Sequence, residues 1–397
     1  MKKAFLYIVF FVVVMEAAAQ KHYIGQITLS SETHTLRFNA LIHPTKKEVI
    51  LKIVNATDTI ELKGISAGRN QWRFDFPVFN THIVVRKIFD RWVGTFTDAD
   101  KSEVSPLTFV PVRVGTARYP LDNAQPSEGR FQVIFDLGTD RERKAVLEYF
   151  PLSETEIRGS VLTRAGDYRF FQGSVSDDSL IMSTFDGKFA YVLAGRIEGD
   201  SIAGYQYFTH AAPRPFVGFR SSDINLPDPK SLIKISDSSS MIRFSLPDVN
   251  YKVVNFDATQ PDAKLTLITI GGSWCPNCMD EARFLNKIYN RYKDLGLQVI
   301  GVYFEYTDKD SVAVPLLRRM VKQLNLDFTV VYGGSVRQQM AAKVFPQLEK
   351  ILAYPTLIAL DADGRIVKTH TGFYGPGTSL YAEFEEEMTS WIEDVLK

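Results

Sequence analysis

Cysteine is almost missing from this chain. Only two of its 397 residues are cysteine, Cys275 and Cys278. Two thiols cannot build a multi-disulfide scaffold, and they cannot supply the four ligands of a structural zinc site on their own. Net charge is missing too, with 46 Lys and Arg against 46 Asp and Glu. Without a basic field there is nothing to displace the counterions of a nucleic acid, so a nucleic-acid partner is excluded. After the first 15 residues no apolar run approaches the ~20 residues needed to cross a bilayer, so an integral membrane protein is not expected. Nucleotide-binding motifs are absent as well. The six histidines show no metal-ligand spacing: His22, His34, His43, His82 and His210 are scattered, and His370 stands alone in the second half. A calcium loop ending at Gly364 fails, because its first ligand position falls on Ala359. Neither a metal nor a cofactor is expected.

What is present begins with a leader. Residues 1–19 join Lys2 and Lys3 to an apolar run, Ala4 to Met15, and then to Ala17, Ala18 and Ala19. This reads as a secretory signal peptide, with an exported, periplasmic and soluble protein left after cleavage. Loss of Lys2, Lys3 and Glu16 takes the formal charge from 0 to −1. An exported compartment permits disulfide chemistry.

The rest of the chain divides by periodicity. Residues 20–237 alternate apolar and polar residues in short runs such as YIGQITLS, EVILKIVN and RFQVIFDL. That rhythm predicts a mostly antiparallel β domain, a sandwich or a partly open barrel, of unread role. Strands are expected at Tyr168–Val175, Ser179–Thr184, Ala190–Ile197 and Ser201–Phe208, with turns at Asp186-Gly187 and Glu198-Gly199. DRERKAVLEYF is open between a charged strand and a short helix. The polar stretch between Asp223 and Met241 reads as a boundary.

Residues 238–397 change period. Their order, β-α-β-α-β-α-β-β-α, predicts a central sheet with helices on both faces, and Asp363-Gly364 turns the last hairpin. At the first strand-to-helix junction the chain reads WCPNC, from Trp274 to Cys278. Free backbone N–H groups at a helix start favour negative charge, so a Cys275 thiolate there is stabilised. Cys278, one turn on, can close a ring with it. Pro276 occupies an early helical position where a missing N–H matters little, and Trp274 can shield one flank of the sulfurs. So tight a ring is a poor structural staple, because it restrains little unfolded-chain entropy. Redox exchange is the reading that remains.

WCPNC between strand and helix, with Tyr354-Pro355-Thr356 before a later strand and FSLPDVN at the domain opening, resembles the thioredoxin superfamily. More closely it resembles the TlpA-type thiol–disulfide oxidoreductases exported by Gram-negative bacteria. The resemblance covers residues 240–397 and implies a thioredoxin-like α/β fold. It also implies a cis Tyr354-Pro355 bond beside the cysteines, and a redox-active CxxC with Cys275 as exposed nucleophile and Cys278 as resolving thiol. Glu281, three residues after Cys278, matches a family feature and is the expected proton-handling group. Trp274, Pro276, Tyr354, Pro355 and Thr356 are the expected substrate-positioning residues. Partners would be substrate proteins bearing disulfides and a membrane thiol-electron donor, with reduction the favoured direction. There are departures. Thr269 stands where thioredoxin has a buried aspartate. Gly271-Gly272-Ser273 replaces bulkier residues and is expected to leave space beside the thiols. Tyr354 is larger than usual before the proline. Two other readings stay open: an envelope binding or scaffold protein with an accessory redox domain, and a thiol-dependent peroxidase. The peroxidase lacks its threonine three residues before the cysteine, where Gly272 stands.

Overall fold

In the computed structural model, residues 21–31, 34–44, 48–236, 241–259 and 263–397 are described. The leader expected at residues 1–19 lies outside them, as do residues 237–240 of the boundary stretch. Among the described residues no helix is long and apolar enough to cross a membrane.

The alternating text of the first half folds as two antiparallel barrels. The first contains β1 (Lys21–Thr28), β2 (Thr35–Pro44), β3 (Val49–Asn55), β4 (Asp58–Gly68), β5 (Gln71–Asp75), β6 (Thr81–Ile88), β7 (Arg91–Asp98) and β8 (Glu103–Pro111). Each strand pairs with the next, and β1 pairs with β8 to close the barrel. Alternation decides which side faces in. Along β3, Val49, Leu51 and Ile53 are buried while Ile50, Lys52 and Val54 are half-buried. Side chains such as Leu36, Phe38, Leu51 and Phe109 fill the interior.

The second barrel uses β9 (Gly129–Phe135), β10 (Arg143–Pro151), β11 (Ile157–Thr163), the two-residue β12 (Gly166–Asp167), β13 (Phe171–Val175), β14 (Ser179–Phe185), β15 (Ala190–Glu198), β16 (Ser201–Phe208) and β17 (Arg214–Arg220). β17 pairs back onto β9, and β10 pairs with β11, so the ring is closed here too. DRERKAVLEYF resolves as the strand β10. The strand expected at Tyr168–Val175 is broken: Arg169 has φ +60, and regular pairing begins only at Phe171. The reason lies in what Arg169 binds, described below.

The two barrels are locked to each other by two buried side chains. Phe185 of β14 packs against Phe38, Phe76 and Phe96 of the first barrel, with ring centroids 4.4–5.8 Å apart. Arg118, in the connection, is fully buried and donates to Val54 O at 2.6 Å, Ser183 O at 2.8 Å and Gln172 Oε1 at 3.1 Å. A buried guanidinium needs such a complete set of acceptors.

The second half is the thioredoxin-like α/β fold. A hairpin, β18 (Arg243–Pro247) with β19 (Val253–Asp257), precedes a five-stranded sheet. Its strands are β20 (Leu265–Gly271), β21 (Leu297–Glu305), β22 (Thr329–Ser335), β23 (Thr356–Leu360) and β24 (Ile366–Thr371), in the order β22-β21-β20-β23-β24. β20 is central, parallel to β21 and antiparallel to β23, and all seven of its residues are buried. That explains its continuous apolar text. Helices α1 (Pro276–Tyr292), α2 (Asp310–Leu324) and α4 (Tyr381–Leu396) pack on one face through Leu285, Leu317 and Ile392. The short α3 (Met340–Val344) and the β18–β19 hairpin cover the other, around Ile268, Val302 and Phe345. Gly364, at φ +75, turns the β23–β24 hairpin where the sequence places it.

Candidate active site

The buried strand β20 delivers the chain to the start of α1, and there Cys275 and Cys278 form a disulfide with their Cα atoms 5.2 Å apart. Cys275 is the N-cap of α1, and its Sγ accepts from the Cys278 backbone N–H at 3.2 Å. One of the helix's free donors therefore points at the sulfur that would carry negative charge after reduction. The opposite wall is the loop before β23. The Tyr354-Pro355 peptide is cis, and Tyr354 O lies 3.6 Å from Cys275 Sγ. Thr356 begins β23, with its hydroxyl turned back to Ala353 O at 2.9 Å.

Trp274 forms the flank. Its Nε1 donates to Phe304 O at 2.9 Å, and its ring sits against Tyr306 and Tyr354 at centroid distances of 4.6 and 5.4 Å. The space expected beside Gly272 is not open. A Cβ on Gly272 would lie 2.3 Å from Trp274 Nε1 and 2.6 Å from Phe304 O, so the glycine is what lets the indole seat.

Two buried carboxyls lie beneath the motif. Glu281 is 2% exposed, and Thr269 Oγ1 donates to it. The residue in the place of thioredoxin's aspartate thus contacts the glutamate expected to act instead. Burial pushes the Glu281 carboxyl up to about 8, only partly offset by the Thr269 hydrogen bond. Glu305, at the end of β21, was not singled out from the sequence. It accepts from Ser273 N at 2.8 Å and Ser273 Oγ at 2.9 Å, and burial raises it to about 7. Its one sequence signal is a carboxylate closing an otherwise apolar strand.

The expectation of an exposed nucleophile is corrected. Cys275 is only 4% exposed, and Pro276 and Asn277 are buried with it. The second barrel covers the first turn of α1. Asn277 Nδ2 donates to Asp167 O at 3.0 Å and to Phe373 O at 3.2 Å. Arg169 reaches from the broken strand into an acidic nest. It holds Asp280 through Nε at 2.7 Å and Nη2 at 3.1 Å, and Asp186 through Nη1 at 2.7 Å. The positive φ of Arg169 aims its side chain at α1 instead of along the barrel. Asp167 accepts from Gly375 N at 2.6 Å, and burial lifts its carboxyl to about 7. The first barrel joins in as well: Arg319 Nη2 of α2 donates to Val78 O and Phe79 O. Between that barrel and the redox half, a cleft of about 310 Å³ is lined by Asn80, Asp100, Glu305, Tyr306 and Arg337. Tyr306, the ring against Trp274, links this cleft to the disulfide.

Residues 236–382 match the Redoxin family. Among curated proteins, the chain is 27% identical over 111 residues to the thiol-disulfide oxidoreductase ResA of Bacillus thuringiensis subsp. konkukian, covering 28% of this chain and 56% of that protein. It is 26% identical over 145 residues to ResA of Halalkalibacterium halodurans, covering 36% and 73%. The chain thus spans about half the length of the first of these relatives. Among solved structures, a putative thiol:disulfide interchange protein DsbE from Chlorobium tepidum is 22% identical with a TM-score of 0.31, covering 41% of this chain and 99% of that one. A putative protein disulfide isomerase from Bacteroides thetaiotaomicron is 18% identical with a TM-score of 0.32, covering 43% and 94%. The second half of this chain has the thioredoxin-like fold with a Cys-x-x-Cys disulfide, and is similar over residues 236–382 to the Redoxin family and to ResA proteins. It stands behind two β-barrels.

Proposed function

We propose that this chain is an exported, periplasmic thiol–disulfide oxidoreductase of the TlpA type that reduces disulfides in other proteins through Cys275 and Cys278. The observation that carries this reading is the disulfide itself: it lies at a helix N-terminus, 3.6 Å from the carbonyl before the cis proline. In the reduced protein, the Cys275 thiolate attacks one sulfur of a substrate disulfide. A mixed disulfide forms and the first substrate thiolate leaves. Cys278, deprotonated, then attacks Cys275 Sγ, the Cys275–Cys278 bond forms, and the second substrate thiolate leaves. Two electrons have moved to the substrate. Glu281 is the proton partner of Cys278. A carboxyl held near 8 is close to a thiol's ordinary ~8.5, so a proton passes between them with little driving force either way. Trp274, Pro276, Tyr354, Pro355 and Thr356 position the substrate, and the loop backbone pairs with an extended segment of it. A second protein, a membrane thiol-electron carrier, restores the dithiol.

The burial of Cys275 gives the scaffold reading its one support, since a covered disulfide suits a protein whose barrels do the binding. Titration of the mature protein against glutathione or dithiothreitol, with thiol alkylation read by mass, separates the readings. A potential near thioredoxin's roughly −270 mV supports a reductase, and one near roughly −120 mV makes it an oxidant. Absence of any two-electron transition sinks both. Cys275→Ser should abolish insulin reduction, whereas a binding phenotype of the barrels should survive it.

A further inference from the structure

At one end of the first barrel two hairpins stand side by side. The β4–β5 turn is Arg69-Asn70 and the β6–β7 turn is Phe89-Asp90. β5 pairs with β6 from Gln71 opposite Arg86, and Lys87 N donates to Asn70 O at 3.2 Å, so the two apices form one surface. This surface combines two things a soluble barrel end has no structural use for.

The first is exposed apolar surface. Phe89 is 94% exposed and Ile65 60%, with Val93 and Ile88 beside them at 40% and 36%. Phe89 also has φ +54. Turns place Gly, Asn or Asp in that conformation, because a bulky side chain there is strained. An aromatic ring at the apex therefore serves neither the turn nor the core. The second is positive charge without a carboxylate partner, although the Lys87 ammonium lies 5.9 Å from the centre of the Trp92 ring. From Ile65 to Val93 the cations are Arg69, Arg73, Arg86, Lys87 and Arg91, and the acids are only Asp75 and Asp90. Arg73 is paired with Asp75 at 2.7 Å. Among the described residues, Arg69, Arg86, Lys87 and Arg91 form no ion pair, and all four are exposed. This excess sits in a chain whose formal net charge is zero.

We propose that these two apices dock the protein onto an anionic phospholipid bilayer. A protruding aromatic and short aliphatics enter the headgroup boundary, while a rim of Arg and Lys meets lipid phosphates. Charge complementarity selects the anionic bilayer over a neutral one. The isolated, protruding ring suits a soft surface better than a partner protein, which would ask for a flat or concave apolar patch. Docking here leaves the redox half free, because the β5–β6 loop at the other end of these strands is the part held by Arg319. This inference does not rest on the redox reading.

The test is vesicle flotation of the full mature protein. Vesicles of phosphatidylglycerol with phosphatidylethanolamine are compared with phosphatidylcholine alone, at low and at high salt. Binding to the anionic vesicles, weakened by salt, is expected. Arg86→Glu with Lys87→Glu should lower it at least tenfold. Phe89→Asn should lower it several-fold while raising the melting temperature slightly, because Asn is at ease at positive φ. Insulin reduction should be unchanged in both variants. Absence of anionic-vesicle binding at low salt overturns the proposal. So does equal binding by the variants, or binding to an acidic polypeptide such as polyglutamate with vesicles ignored, which would make the partner a protein.

Discussion

Replacing Glu281 by glutamine should stabilise this protein, and the gain should grow with pH. In the folded chain the Glu281 carboxyl keeps its proton up to about 8, while its ordinary value is 4.5. Below 4.5 both states are protonated and the residue favours neither. Above that, the unfolded chain releases the proton and the folded chain retains it, so folding takes a proton up. Stability is then lost at ~1.4 kcal/mol per pH unit until the folded group itself ionises near 8. From 4.5 to pH 7 that amounts to about 3 kcal/mol, a large part of the ~5–15 kcal/mol that holds a typical domain together. Glutamine carries no such proton and can still accept from Thr269. Urea unfolding of the oxidised wild type and Glu281→Gln across pH 5 to 8 is the assay. Glu305 and Asp167, both raised to about 7, contribute equally to the two proteins, so the difference between the curves isolates Glu281. Convergence near pH 5 and a gap of about 3 kcal/mol at pH 7 are expected. Under the proposed function, disulfide exchange should be slower in the variant, a functional residue being kept at a cost in stability. Parallel curves, with a constant gap from pH 5 to 8, would refute the reasoning.

Two further substitutions probe how the site is held. Arg169→Met leaves Asp186 buried without its cation and Asp280 with only the largely exposed Arg283, and should cost about 3–5 kcal/mol in urea unfolding. The same change should speed alkylation of the reduced Cys275, because the barrel's grip on α1 loosens. Gly272→Ala forces a methyl into the Trp274 indole and the Phe304 carbonyl, an overpacking worth about 1–3 kcal/mol, and should alter Trp274 fluorescence between the oxidised and reduced states.

The C-terminal fold was legible because its signals are local. β20 is buried on both faces and reads as an unbroken apolar run, α1 repeats its buried residues at helical spacing, and Asp363-Gly364 can hardly be anything but a turn. The disulfide and the cis Tyr354-Pro355 bond followed from a motif in the right context. The closure of the first half into two rings was not legible. Alternation gives a strand's inner face, but the pairing of β1 with β8, or of β17 with β9, joins residues 80 to 89 positions apart. The same limit hid the cover over the cysteines. Asn277 lies inside the motif and Asp280 two residues past it, yet their partners Asp167 and Arg169 are 110 and 111 residues away. Glu281, equally plausible as a surface glutamate from the text alone, is buried because it points at Thr269 under the motif.

The Arg169 clamp has a consequence for anyone who works with the redox half alone. Cut away from the barrels, Asp280 would lose Arg169 and keep only Arg283 of its own helix, Asn277 would lose Asp167 O and keep only Phe373 O, and the first turn of α1 beside the disulfide would lose its cover. Under the proposed function, such a fragment would be a less selective reagent than its parent, quick with small thiols and indifferent to protein shape. On that reading the barrels supply the molecule's choosiness, and a truncated version would be measured as a different enzyme.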